Sequence, residues 1–191
     1  GANFVNGNMD VTKLQEATVN GVVIKNNSNF NVGGEFTIMA PSINAVKSAI
    51  RADKGVKLIT ANGQDFLVAP AEGTTIKDAG VRMETIEVNG NVYVLSGKDI
   101  VKVVNGGTIN GDLTVESKGI VALNYSNDAK NDLVVKGNLK ADSTGDLNPA
   151  NKGNFMYLRN AKVDGNVDMS NSGGFLEVAN LTSGGDVKLT T

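Results

Sequence analysis

The pattern that most restricts the fold of this chain is a short phrase that occurs five times in its second half. The phrase is x-Gly-[Asn/Asp]-Φ-x-Φ, where Φ is an apolar residue or alanine. Its glycines are Gly90, Gly111, Gly137, Gly165 and Gly185, so that the spacings are 21, 26, 28 and 20 residues. A recurring period of this length is the signature of stacked repeats, in which each unit buries its apolar face against the next.

A second alternating segment precedes each phrase. These segments read "GVRM", "IVKV", "IVAL", "FMYL" and "FLEV", and they begin at Gly80, Ile100, Ile120, Phe155 and Phe175. Strands this short are not stable as isolated hairpins, whereas parallel stacking about 4.8 Å apart pairs every strand with the next unit. The sequence therefore predicts an all-β fold, a parallel β-helix (β-solenoid) with coils of about 20 residues.

The whole chain, residues 1–191, is predicted to form a single β-helical domain. Residues 1–79 form less regular coils and residues 80–191 form regular ones. The two longer spacings predict loop insertions at 124–132 and 142–152. The first and last segments read as the middle of a protein, so we expect the chain to be part of a longer one.

Residues 42–54 allow two interpretations. Apolar residues at Ile43, Val46 and Ile50 fit one face of a helix, with Ser42 as its N-cap. The same residues fit two short strands. We favour strands, because the period of 20 residues that separates "FTIMA" from "VKLIT" runs through this segment without a break.

The residue after each repeated glycine falls at one corner of the predicted coil. This corner column is Asn91, Asp112, Asn138, Asn166 and Asp186. We expect the glycine to supply a positive φ and the Asn or Asp to hydrogen bond along the stack, which is a structural role. A calcium-binding or carbohydrate-binding ladder is the alternative, but two carboxylates that lie two or more coils apart make a poor cage for a hard cation.

Two further columns are predicted to face outward. One is a solvated column with alternating charge: Tyr93, Thr114, Lys140, Asp168 and Lys188. The other is apolar and forms a contact stripe: Ile100, Ile120, Phe155 and Phe175. An exposed apolar stripe indicates a contact surface, so we expect this face to be covered by the insertion loops or by another molecule. The alternative is that a bulge reverses the alternation and the stripe belongs to the core.

Composition excludes several classes of function. The chain has no cysteine, histidine or tryptophan, which removes disulfides, thiolate nucleophiles, Ser-His-Asp relays and His-based metal sites. A formal net charge of −2 without a basic run argues against a nucleic-acid partner. No segment approaches the roughly 20 apolar residues that span a bilayer, so membrane insertion is not expected. We expect no catalytic residue, no cofactor and no metal.

The stretch "NVGGEFTIMAPSINAVKSAIRADKGVKLITANGQDF", residues 31–66, resembles the secretion-domain region of filamentous-haemagglutinin-like exoproteins. The units of about 20 residues that follow are similar to the haemagglutinin repeats of those adhesins. The resemblance implies a right-handed β-helix, two-partner secretion through an outer-membrane transporter, and a place outside the cell or on the bacterial surface. In that family the secretion domain carries Asn-Pro motifs near its start, whereas the sole Asn-Pro here lies in the late "LNPAN" loop. We therefore interpret the chain as shaft and not as signal.

The function expected from this resemblance is that of a structural and adhesive segment of a large secreted exoprotein. Its partner would be a host or neighbouring-cell surface protein or glycan, and its role would be attachment and virulence. One alternative is a self-polymerising β-helical filament subunit similar to the bactofilins. A polysaccharide-degrading β-helix enzyme is the less favoured alternative, because the carboxylates of the sequence are dispersed.

Overall fold

The computed structural model of the chain describes residues 3–12, 21–60, 80–97, 100–126, 130–145 and 154–191. Every helix or strand within these ranges is a β-strand, as the alternating segments predict. In chain order the described strands are β1 (Asn3–Val5), β2 (Met9–Thr12), β3 (Gly21–Ile24), β4 (Asn29–Val32), β5 (Phe36–Met39), β6 (Ser42–Val46), β7 (Ala49–Ala52), β8 (Val56–Ile59), β9 (Gly80–Asn89), β10 (Val92–Leu95), β11 (Ile100–Asn110), β12 (Leu113–Ser117), β13 (Val121–Leu123), β14 (Leu133–Val135), β15 (Leu139–Ser143), β16 (Asn154–Val163), β17 (Val167–Asn171), β18 (Gly174–Ser183) and β19 (Val187–Thr190).

The described strands pair only in parallel, and each partner lies one coil earlier or later. Val92 lies opposite Leu113, and Leu113 lies opposite Leu139, so the repeated phrases stack directly upon one another. The pairings produce one sheet of eight strands and one of eleven. The all-β fold is thereby confirmed, and its stacked parallel strands are consistent with a β-solenoid.

Each complete coil has three strand positions, which we call walls 1, 2 and 3. Wall 1 consists of β3, β6, β13 and the first halves of β9, β11, β16 and β18. Wall 2 consists of β1, β4, β7, β14 and the second halves of the same four long strands. Wall 3 is the eight-stranded sheet, in the order β2-β5-β8-β10-β12-β15-β17-β19.

The core lies between the walls and is filled by alternate residues of each strand. In β12, for example, Leu113 and Val115 are fully buried while Thr114 between them is partly exposed. In β16, Met156 and Leu158 are likewise fully buried. Burial of one such side chain contributes about 1.5–3 kcal/mol, and stacking repeats that contribution in every coil. The coils are stable together although none of their strands is stable alone.

The corner between walls 1 and 2 is built by residues in the left-handed region of backbone conformation. Among the described residues, seven non-glycine residues, one in each of seven coils, adopt this conformation with φ between 40° and 64°: Asn27, Lys47, Thr85, Asn105, Asn124, Asn160 and Asn180. Five of the seven are asparagine, the residue that together with Asp tolerates this region best after glycine. The repeated glycine phrase does not predict this corner, although the asparagines of the corner recur with the period of the coil.

The corner between walls 2 and 3 carries the repeated glycine. The expectation that this glycine supplies a positive φ is wrong for four of the five positions, because only Gly90 has one, at 140°. The reason is instead close approach. A Cβ on Gly137 would overlap Asp112 Oδ1, and a Cβ on Gly165 would overlap Asn138 Oδ1 of the preceding coil. The missing Cβ of the glycine thus leaves space for the Asn or Asp side chain of the preceding coil.

The structure also shows the form of residues 42–54 and the places where the two predicted insertions begin. Residues 42–54 contain β6 and β7, so the two-strand interpretation is confirmed. The predicted insertions begin later than expected, because Asn124 belongs to the corner between walls 1 and 2 and β15 continues through Ser143. Residues 127–129 and 146–152 of these insertions lie outside the described residues.

Candidate functional site: an aromatic face on wall 1

The predicted contact stripe lies on the outer surface of wall 1. Pairing in register places Val101 opposite Val121 and Val121 opposite Met156, and Phe155 lies opposite Phe175. The three inward residues Val101, Val121 and Met156 are completely buried. The stripe residues Ile100, Ile120 and Phe155 are half-buried, and Phe175 is 50% exposed. The alternation therefore has the phase that directs the stripe outward.

Aromatic rings gather at the end of this stripe nearest β18. The rings of Phe155 and Phe175 have centroids 6.0 Å apart in an edge-on arrangement. Tyr157, two residues after Phe155 and on the same face, stacks on Phe155 at 5.9 Å and lies 6.1 Å from Phe175. Tyr125 adds a fourth ring, 4.2 Å from that of Tyr157. We call Tyr125, Phe155, Tyr157 and Phe175 the aromatic face.

One cation is built into the aromatic face. The Cζ atom of Arg159 lies 4.5 Å from the ring centroid of Tyr125, within the range of a cation–π interaction. The Arg159 guanidinium also pairs with Glu177, and both side chains are mostly buried. Burial raises the pKa of the Tyr157 phenol above its usual value; Tyr125 and Glu177 add to this and the charge of Arg159 opposes it.

Asn124 fixes the point where the chain leaves wall 1 toward Tyr125. Its side chain is completely buried and its backbone has a φ of 56°. Its Oδ1 accepts a hydrogen bond from Gly106 N–H at 2.8 Å, and its Nδ2 donates to the carbonyls of Asn131 and Asn160, each at 3.0 Å. The first insertion therefore starts from a corner that three hydrogen bonds hold in place, and its Tyr125 packs against Tyr157 and Arg159.

The sequence revealed only half of the aromatic face. Phe155 and Phe175 were identified by their repeat position, and the period of two along β16 could have added Tyr157. The same period extends to Arg159, which also lies on the outer side of β16. Tyr125 carries no such signal, because it lies beyond the corner at Asn124, where an insertion begins.

The two other predicted columns are placed as follows. The corner column forms a continuous hydrogen-bonded ladder, because each Oδ1 accepts from the backbone N–H of the next member. The distances are 2.8–2.9 Å and run from Asn91 to Asp186. In the outward column, Lys140 lies opposite Asp168 and Asp168 lies opposite Lys188.

Wall 3 contributes a shallow polar depression that the sequence analysis did not identify. Glu116 and Asp142 lie opposite each other on β12 and β15 and line it together with Ser96 and Lys118. The Tyr93 hydroxyl donates to Glu116 Oε2 at 2.7 Å. Burial, followed by this bond and the charge of Glu116, raises the pKa of Tyr93 to about 12.

Within the part of the chain that the structure describes, no three residues of the types His, Cys, Asp and Glu are grouped so as to hold a metal ion. The described residues also include no helix that is long and apolar enough to cross a membrane.

Comparison with known proteins gave no match of any kind. No family model matches the chain, and neither the curated proteins nor the solved structures include a significant match to it.

Proposed function

We propose that this chain is a structural and adhesive segment of a large secreted bacterial surface exoprotein, and that it attaches to a surface glycan or protein through the aromatic face. The observation that carries the proposal is the gathering of four rings and one arginine on the outside of a rigid wall. Aromatic and arginine side chains dominate the energetics of binding surfaces, since they offer a large contact area with few rotatable bonds.

The same proposal includes the finer features that the resemblance implies. These are a right-handed solenoid, export by two-partner secretion and a location on the bacterial surface. Support for the hand comes from a general rule: connections between parallel strands of one sheet are right-handed in about 98% of cases. A crystal structure of the chain would check the hand directly.

The adhesive role is tested by binding of the labelled chain to a glycan array and to fixed epithelial and bacterial cells. Tyr125→Ala and Phe175→Ala remove the two most exposed rings of the aromatic face, which are 40% and 50% exposed. Loss of a ring at the centre of a binding surface costs about 2 kcal/mol or more, so we expect binding to weaken at least about tenfold.

Phe4→Ala is the matched control, because Phe4 is a 61% exposed aromatic residue of β1 on wall 2, away from the aromatic face. Its binding should equal that of the unmodified chain, and all three variants should keep the far-UV circular dichroism of the β fold. Folded Tyr125→Ala and Phe175→Ala variants that bind as tightly as the control would contradict the proposal.

One observation favours the polysaccharide-degrading alternative: the carboxylates of Glu116 and Asp142 lie on neighbouring strands and line the depression on wall 3. Release of reducing ends from an acidic polysaccharide, lost in Glu116→Gln and Asp142→Asn, would favour the enzyme over the adhesin.

A further inference from the structure

The outer side of wall 1 offers an ammonium group at Lys102 beside the aromatic face. In the described halves of β9, β11, β16 and β18 that form wall 1, the charged residues on this side are Arg82, Glu84, Lys102, Arg159 and Glu177. Arg82 pairs with Glu84 at 2.7 Å, and Arg159 pairs with Glu177. Lys102 is exposed, and the ion pairs within the described part of the chain do not include it. This side therefore carries one positive charge in excess, at Lys102.

A small residue separates Lys102 from the aromatic face. Lys102 lies opposite Ala122, and Ala122 lies opposite Tyr157, so three successive coils place lysine, alanine and tyrosine in one outward column. Neighbouring strands lie about 4.8 Å apart, which puts the backbones of Lys102 and Tyr157 roughly 10 Å apart. Because the side chain of Ala122 is a single methyl group, the surface between its two long neighbours forms a shallow depression. The coils of β9 and β18 lie on either side of these three, so the depression belongs to the interior of the stack.

The depression has an apolar side and a charged side. Tyr157 forms the apolar side together with Tyr125, whose ring lies 4.2 Å from that of Tyr157 and which is 40% exposed. The half-buried Ile120, two residues before Ala122, adds a further apolar border. Lys102 stands on the side opposite Tyr157. Aromatic rings and an ammonium group thus face each other across about the width of one sugar ring.

A hexuronate residue has the chemistry that fits this arrangement. The negatively polarised face of an aromatic ring attracts the C–H groups on the apolar face of a pyranose. An ammonium group forms charge-assisted hydrogen bonds with a carboxylate. A hexuronate offers both features on one ring, whereas a neutral hexose leaves the ammonium group without a counter-ion. A sialic acid also has a carboxylate, but its glycerol and acetamido branches need more room than a shallow depression one ring wide.

We infer that the depression over Ala122 binds a hexuronate residue of an acidic glycan. The sugar ring stacks on Tyr157 and Tyr125, and its carboxylate pairs with Lys102. This inference rests on the proposed adhesive function and names the class of its glycan. Because the ion pair lies at the surface, salt screens it and should weaken the binding.

The test is calorimetric titration of the purified chain with oligomers of glucuronate, galacturonate and mannuronate. Each is compared with the neutral oligomer of the same linkage, in which a hydroxymethyl group replaces the carboxylate. We expect at least one hexuronate oligomer to bind about three- to fivefold more tightly than its neutral counterpart, as an exposed ion pair allows. The preference should shrink at high salt.

Three variants locate the binding on wall 1. Lys102→Ala should abolish the preference for the hexuronate oligomer, and Lys102→Arg should keep it. Ala122→Phe fills the depression from its outer side and should weaken the binding of both oligomers. Lys140→Ala is the matched control, because Lys140 is an exposed lysine of β15 on wall 3, and it should bind like the unmodified chain.

Equal binding of hexuronate and neutral oligomers, or a preference that survives Lys102→Ala, would overturn the inference. Tighter binding of a sialylated oligosaccharide would overturn it as well. Attachment of the chain to cells without binding of any hexuronate oligomer would overturn the inference and leave the adhesive function standing. Hexuronate binding without attachment to cells would support the inference and contradict the adhesive function.

Discussion

At the scale of single residues, Asn124 combines two demands that no other side chain meets together. Its backbone adopts a φ of 56°, and its buried side-chain amide forms hydrogen bonds with Gly106, Asn131 and Asn160 at the same time. Asparagine offers one acceptor and two donors on a short side chain that tolerates the left-handed region. The repeat pattern predicts Asn124 at the start of an insertion, because a linear pattern does not show which asparagine bridges three coils.

Asn124→Ala is predicted to lower the free energy of unfolding by about 2–5 kcal/mol. The substitution leaves buried backbone groups without their hydrogen-bond partner, and alanine tolerates the left-handed region less well than asparagine does. Asn180→Ala is the matched control: its φ is 53°, but the residue is exposed and makes one hydrogen bond, to Asn160 Oδ1 at 3.2 Å. The control should lose about 1 kcal/mol. Urea denaturation measures both, and equal losses would show that the buried bonds of Asn124 contribute nothing.

At the scale of one strand, β16 shows how alternation separates stability from recognition. Met156 and Leu158 point into the core and are completely buried, while Phe155 and Tyr157 between and beside them belong to the aromatic face. A shift of one residue would exchange the two sets. The strand thus carries the core on one side and the candidate binding surface on the other.

The double variant Phe155→Ser with Phe175→Ser is therefore expected to remain folded, with an unchanged far-UV circular dichroism spectrum. Met156→Ser removes a fully buried side chain and should cost about 3 kcal/mol or more in the free energy of unfolding. Thermal and urea unfolding distinguish the two. A double variant that unfolds while Met156→Ser is tolerated would place the stripe in the core.

At the scale of the whole molecule, the fold is a one-dimensional stack in which each coil contacts its neighbours. Val167 lies opposite Val187 and Lys162 lies opposite Thr182, so residues 20 apart occupy equivalent positions in the last two described coils. Deleting a complete coil should therefore be tolerated, because the residues after the deletion take the equivalent positions of the coil that was removed.

Deletion of residues 165–184 removes one coil, and the shortened chain should still unfold cooperatively, at a lower temperature than the intact chain. Deletion of residues 165–174 removes half a coil and should leave the residues after residue 164 unstacked, because Glu177 would occupy the buried position of Val167. This deletion should therefore lose more strand signal and melt at a lower temperature than the deletion of the complete coil. Circular dichroism melts of both deletions check this. Similar behaviour of the two would contradict the stack of equivalent coils.

The sequence by itself determined the coil: its period, its parallel stacking, the phase of the stripe and the two strands within residues 42–54. These follow from the spacing of glycines and from period-two alternation, which are local properties of the chain. Only the tertiary structure decided why Gly165 must be glycine, how Asn124 is used, and that Tyr125 and Arg159 meet on the same wall. Each of these depends on a neighbour 18 or more residues away, at a distance set by the stacking of the coils and not by the order of the residues.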